Sequence, residues 1–227
     1  MRGVRALLLS IALAAACAGV RAQETQVTPE LAASQDAGAE LFSHPATTAG
    51  LRASLLADAL GEVERSRVVE GKFAQQRTMR GLPRPLDSSG EFLLVRDLGL
   101  RWHTLAPVED EFVLTRAGVS ASRPGAKRTA SLGPATELLF ALFSLDLEAL
   151  ERRFELYGLG APDSWHIGLR PRDKATARAV KQATLRGGQR VESIVLVNGA
   201  GDELRIRLHD VVVRPGDLTP EQQAVFR

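Results

Sequence analysis

The sequence predicts a mainly β protein with helices, built on one strongly curved antiparallel sheet whose concave side is covered by helices. Three observations carry this. Over residues 71–107 apolar and polar residues alternate in three segments, interrupted by Pro83, Pro85, Ser88, Gly90 and Gly99. Helical periodicity takes over in residues 51–63 and again after Pro134. Gly187-Gly188 and Asn198-Gly199 then separate the clearest strands of the chain, as hairpin turns do.

The first 22 residues read as a secretory signal peptide. Arg2 and Arg5 give a basic start, residues 6–16 are an apolar run too short to span a bilayer, and Val20-Arg-Ala22 is a small-residue cleavage pattern. Removing them takes away three of the 29 basic residues and none of the 27 acidic ones, which leaves a net charge of about −1. The basic balance of the full sequence is therefore no argument for a nucleic-acid partner. The single cysteine, Cys17, lies in the apolar run. Ala14-Ala-Ala16-Cys17 loosely resembles a lipobox, in which the cysteine is acylated; the plainer reading is a small apolar residue of the signal core. A chain starting at Gln23 has no disulfide and depends on core burial.

Residues 23–48 are rich in Ala, Thr, Ser, Gln and Glu without a sustained period, which predicts a flexible arm ahead of one domain spanning 49–227. Leu51, Leu55, Leu56, Ala59, Leu60 and Val63 then recur at helical spacing, the pattern of one amphipathic helix with a face to bury. Strands are expected over 68–79, 91–95, 100–105, 111–115 and 119–123. The segment 82–86, with two prolines, is a connection because it lacks two ladder donors. Residues 91–95 are apolar on both faces, as for a strand covered on both sides. Leu138, Leu139, Leu142 and Phe143, a break near Ser144, and then Leu147 and Leu150 predict two short apolar helices. Strands resume over 153–157, 165–169, 180–185, 191–197 and 203–213, and Thr219-Pro220 starts a closing helical turn.

No catalytic set stands out. His44, His103, His166 and His209 are scattered, with no spacing that places two imidazoles on one metal, and His166 and His209 fall on water-facing strand positions. Glu109-Asp-Glu111 reads as a solvated turn rather than a cation site. Gly118-Val-Ser120-Ala-Ser122 lacks the last glycine of a nucleophile elbow, and Gly158-Leu-Gly160 lacks the third glycine of a dinucleotide fingerprint. The apolar residues offer a different site: Phe92, Leu94, Trp102, Phe112 and Leu114 facing Leu138, Leu142 and Phe143 either line a cavity or fill it as core.

Phe73 and Gln75, Gly90-Glu-Phe92, Arg96, Leu100-Arg-Trp102 and Pro107 resemble the opening hairpins of the outer-membrane lipoprotein carrier family LolA. Gly81-Leu82, Arg84-Pro-Leu86, Ser89, Gly90, Gly99, Leu100 and Trp102 resemble more narrowly the LolA-like proteins found with aryl-polyene and polyketide-type pathways. The resemblance implies an open half-barrel, an N-terminal helix and two short lid helices, in the periplasm, binding acyl chains without covalent chemistry, cofactor or metal. It also implies a monomer that takes acylated cargo from an inner-membrane exporter and hands it to an outer-membrane acceptor. Arg96 falls where the carrier's lid latch lies. Asp97 stands where the carrier has proline and Ala117-Gly118 where it has an Asp-Gly turn, so lipoprotein, lipid and polyene ester all stay open as cargo. The alternative, favoured if Cys17 is lipidated, is an anchored receptor of LolB type or an envelope-sensing module on the same fold.

Overall fold

The structure is a computed structural model that describes residues 40–115, 118–121, 134–216 and 218–226. The signal peptide, Cys17, the arm up to residue 39 and the expected loop at 124–128 lie outside the described residues. Among the described residues eleven strands form a single antiparallel sheet. In chain order they are β1 (Pro45–Ala46), β2 (Val68–Thr78), β3 (Leu86–Val95), β4 (Gly99–Ala106), β5 (Asp110–Thr115), β6 (Gly118–Ala121), β7 (Phe154–Ala161), β8 (Ser164–Pro171), β9 (Gln182–Gly187), β10 (Val191–Val197) and β11 (Glu203–Arg214). Their order across the sheet is β1-β7-β8-β9-β10-β11-β2-β3-β4-β5-β6, so β11 carries the second half of the chain back against β2 and the sheet does not close.

The helices are α1 (Thr48–Ser54), α2 (Ala57–Arg65), α3 (Pro134–Phe143), α4 (Leu147–Glu151), α5 (Lys174–Ala179) and α6 (Pro220–Ala224). Alternation puts Phe73, Phe92, Leu94, Leu100, Trp102, Leu114, Ile167, Leu169, Ile194 and Ile206 on one face of the sheet, where they share a core with Leu51, Leu60, Leu142 and Leu147 from α1 to α4 and with Leu56 between α1 and α2. The opposite face of β2 and β3 carries a smaller cluster. Val68, Leu93 and Val95 are covered there by Leu218 and the partly buried Phe226, which flank α6. The capping box of Thr219 and Gln222 starts α6 and so aims this cover. The two-sided apolar pattern of residues 91–95 thus has its explanation on both faces.

Two glycines fix how β4 approaches its neighbours, Gly90 from β3 and Gly99 toward β5. A Cβ on Gly90 would stand 2.0 Å from the His103 carbonyl oxygen and 2.8 Å from the Phe73 ring. Gly99, at φ 154°, would place one 2.1 Å from the Leu114 carbonyl oxygen. Both positions need hydrogen where any other residue carries carbon.

The structure departs from the sequence reading in four places. The helix expected over 51–63 is two, α1 and α2, because the Leu51 carbonyl accepts from both Leu55 and Leu56 and the ladder breaks there. Residues 40–48 are not an extension of a loose arm. β1 pairs with β7, Leu41 is buried, and the Phe42 ring packs edge-on against Tyr157 at 5.2 Å under the Arg170 guanidinium at 4.2 Å. Helix α5 was not anticipated: Asp173 caps it by accepting from Ala175 and Thr176. The β10–β11 connection spans residues 198–202 rather than a two-residue Asn-Gly turn. The Asn198 side chain bonds both the Asp202 amide and its carboxylate, and Gly201 alone in this loop takes positive φ.

Candidate functional site

The sheet's inner face and the α3–α4 pair form the site, and its construction follows from the register. Cross-strand pairing sets Phe92 opposite Trp102, Trp102 opposite Phe112, Leu94 opposite Leu100 and Leu100 opposite Leu114. This builds an aromatic patch centred on Trp102, with Phe73 stacked at 3.8 Å between ring centroids and Phe92 and Phe112 at 6.2 and 6.4 Å. Helix α3 presses Phe143 into this patch, 5.3 Å from Trp102 and 6.3 Å from Phe92. Leu138 and Leu142 are buried beside it.

All eight apolar positions singled out by sequence therefore meet. Phe92, Leu94, Trp102, Leu114, Leu138, Leu142 and Phe143 are buried, and Phe112 is partly buried against them. They meet by filling the space between them, as the lid's own side chains occupy the inner face. Empty volume lies to one flank, where a groove of 400 Å³ opens between the end of β5 and the start of β7, under α3 and α4. Leu114, Leu138, Ala141, Leu150 and Phe154 form its apolar wall, and Asp146, Arg152 and Arg153 line it with charge. A larger concavity of 530 Å³ lies mostly on the face turned away from the helices. Gln76, Asp87, Ser89, Arg205 and Arg207 are among its lining, so its walls are more polar in character than those of the flank groove.

The lid helices are held differently. Helix α4 is clasped to α1 by polar bonds: Arg52 donates to both carboxylate oxygens of Glu148 at 2.9 and 3.0 Å, and Thr48 donates to Glu151 at 2.6 Å. The hydrogen bond from Arg52 holds the Glu148 carboxyl below the usual carboxylate range and raises Arg52 in turn. Helix α3, in contrast, meets the sheet through Leu138, Leu142 and Phe143. Between the two helices Leu145 sits at φ 50°, a conformation that costs a branched side chain about 1–2 kcal/mol, and Asp146 caps α4 through the Ala149 amide. Sequence reasoning missed this clasp, since Arg52 and Glu148 are 96 residues apart and their types alone mark no pair.

Arg96, the expected latch, is exposed in the β3–β4 turn, and its backbone amide donates to the Arg67 carbonyl. The histidines are not brought together. His103 meets Glu109 at 3.0 Å across the β4–β5 turn, while His166, on β8, is held low by burial and then by the neighbouring Arg186 charge. Among the described residues no three His, Cys, Asp or Glu side chains lie close enough to share a metal ion. Among them, too, no helix is long and apolar enough to cross a membrane.

The sequence profile of the family described as outer membrane lipoprotein carrier protein LolA-like matches residues 49–210, from α1 into β11. The chain belongs to this family. Similar solved structures include a chain of the Pseudomonas aeruginosa MucA/MucB complex, at 19% identity and a TM-score of 0.43, covering 74% of this chain and 58% of that one. The LolA superfamily protein NE2245 from Nitrosomonas europaea is 10% identical with a TM-score of 0.43, covering 76% of this chain and 97% of that one. The LolA-like chain thus spans less than two thirds of the MucA/MucB chain it matches. No curated protein matches it.

Proposed function

We propose that this LolA-like protein is a periplasmic carrier that binds an acyl chain between its sheet and its lid and passes the acylated cargo from an inner-membrane exporter toward an outer-membrane acceptor, as a monomer and without covalent chemistry. The observation that carries the proposal is the apolar mounting of α3 on the inner face of a sheet that does not close, beside an apolar groove. Such a lid can exchange its side chains for those of a ligand. Withdrawing Leu142 and Phe143 gives up about 3–6 kcal/mol of burial, which about four to eight buried methylenes offset at ~0.8 kcal/mol each. A long acyl chain therefore opens the lid at no net cost, whereas a short one does not. Arg96 serves as the lid latch in this reading, exchanging directional hydrogen bonds as the lid moves.

The test uses Trp102 as a reporter. In a Trp165→Phe background, titration with an uncharged long-chain acyl ligand is expected to change Trp102 emission as Phe143 withdraws, and organic extraction of protein purified from a bacterial host is expected to release acylated molecules. Emission that stays constant up to the solubility limit, together with an extract free of lipid, refutes carriage.

A further inference from the structure

We propose that the β2–β3 connection and the β4–β5 turn, with the strand ends beside them, form a lip that inserts apolar side chains into the headgroup layer of a bilayer containing anionic phospholipid. Among the described residues six large apolar side chains stand exposed, and four of them fall here: Leu82 at 45%, Leu86 at 50%, Leu105 at 49% and Val108 at 42%. The register gathers them. Arg77 and Leu86 close the β2–β3 ladder, and Ser89 lies opposite Ala106 across β3 and β4, so both connections leave the sheet at one end. Leu105 is the residue of β4 that the register shift beside Ser89 and Gly90 leaves without a cross-strand partner. Single exposed leucines need no explanation, but a cluster of them on projecting turns marks a contact surface.

The chemistry of the lip fits a lipid surface. Residues 79–86 carry Arg80 and Arg84 interleaved with Leu82 and Leu86 and hold no acidic side chain. Arg80 also bears on Asp202, so the exposed Arg84, set between Pro83 and Pro85, is the cation offered to lipid phosphates while the leucines lie deeper. The carboxylates of Asp87, Glu109 and Asp202 beside the lip are turned back to the protein, toward the Gln76 amide, the His103 ring and the Arg80 backbone amide. The backbone suits the same task. Entering a layer poor in water penalises every bare N–H, yet Pro83, Pro85 and Pro107 have none and the Leu82 amide already donates to the Met79 carbonyl. The inference goes beyond the carrier reading and is tested with no acyl ligand present, so either can fail without the other.

The experiment is flotation of the exported protein with vesicles of phosphatidylcholine alone and of equal parts phosphatidylcholine and phosphatidylglycerol. A Cys17→Ser form is used throughout, so that no acyl anchor contributes. The protein is expected to bind the mixed vesicles more tightly than the neutral ones. Leu82→Ser/Leu86→Ser is expected to weaken binding to both by about tenfold or more, and Arg84→Gln to weaken binding to the mixed vesicles alone by about fivefold. Insertion is read directly with a nitrobenzoxadiazole label on Leu82→Cys, whose emission is expected to rise on the mixed vesicles. The same label on Leu98→Cys, exposed in the turn at the other end of β3, is expected to stay unchanged. Absence of binding to either vesicle overturns the inference, as does binding that survives Leu82→Ser/Leu86→Ser or a label on Leu82→Cys that behaves like the one on Leu98→Cys. Self-association that depends on Leu82 and Leu86, without vesicle binding, assigns the lip to a second copy of the chain and overturns it too.

Discussion

A matched pair of substitutions decides whether α3 is a lid or merely part of the core. Leu142, on α3, is fully buried on the inner face of the sheet, and Leu93, on β3, is buried on the outer face under Leu218. Replacing either by Ala removes about three carbons of buried side chain, some 2.4 kcal/mol of transfer free energy before any cavity cost, or about 60-fold in an equilibrium constant. The readout is amide hydrogen exchange of peptides covering α3 and β2–β3, under conditions where reclosing outruns exchange. If α3 detaches while the sheet stays folded, Leu93→Ala weakens the closed and the lid-open forms equally against the unfolded chain. Exchange in β2–β3 then accelerates by about 60-fold or more while α3 keeps its native rate. Leu142→Ala weakens only the closed form, so α3 accelerates by that factor. Acceleration of α3 by Leu93→Ala to the same extent as β2–β3 would show that the helix opens only when everything unfolds, and the lid argument would fail.

The clasp between α1 and α4 predicts a pH signature. Glu148 is held below its ordinary range by Arg52, so the bond contributes stability above about pH 4.5 and loses it as pH falls through the lowered value. With side chains 38% and 54% exposed, that contribution is at most about 1 kcal/mol. The Tm gap between the native protein and Glu148→Gln should therefore be present near about pH 6 and shrink as the pH is taken progressively below about 4.5. Gly90→Ala should lower Tm by at least about 4–8 °C in a melting curve, because its Cβ would lie 2.0 Å from a carbonyl oxygen that the β3–β4 ladder holds in place. Phe42→Ala should cost about 1–2 kcal/mol in denaturant unfolding and speed proteolysis within residues 40–48, since it removes both the Tyr157 edge contact and the Arg170 cation–π contact.

What could be read from sequence is what short-range pattern encodes. Alternation across 68–79 and 203–213 found β2 and β11, and the switch of period after Pro134 found α3 and α4 with their break, because period alone separates strand from helix. The inward set at Phe92, Trp102 and Leu142 was legible for the same reason. Features set by a distant partner were hidden. The break at Leu55 occurs inside an unbroken helical pattern, and Phe42 fell within the stretch read as a flexible arm because its partners Arg170 and Tyr157 lie far along the chain. The charged edge of the flank groove was equally invisible: Arg152 and Arg153 stand at the passage from a helix to the strand expected over 153–157, and nothing local shows that β5 lies beside them.

The outer cover supplied by Leu218 and Phe226 gives β3 a second anchorage that no ligand has to disturb. A strand buttressed from behind can surrender its front to a guest and still hold its register with β2 and β4. In the proposed carrier, loading and unloading would then be events of one face, with the strand ladder behind it left intact.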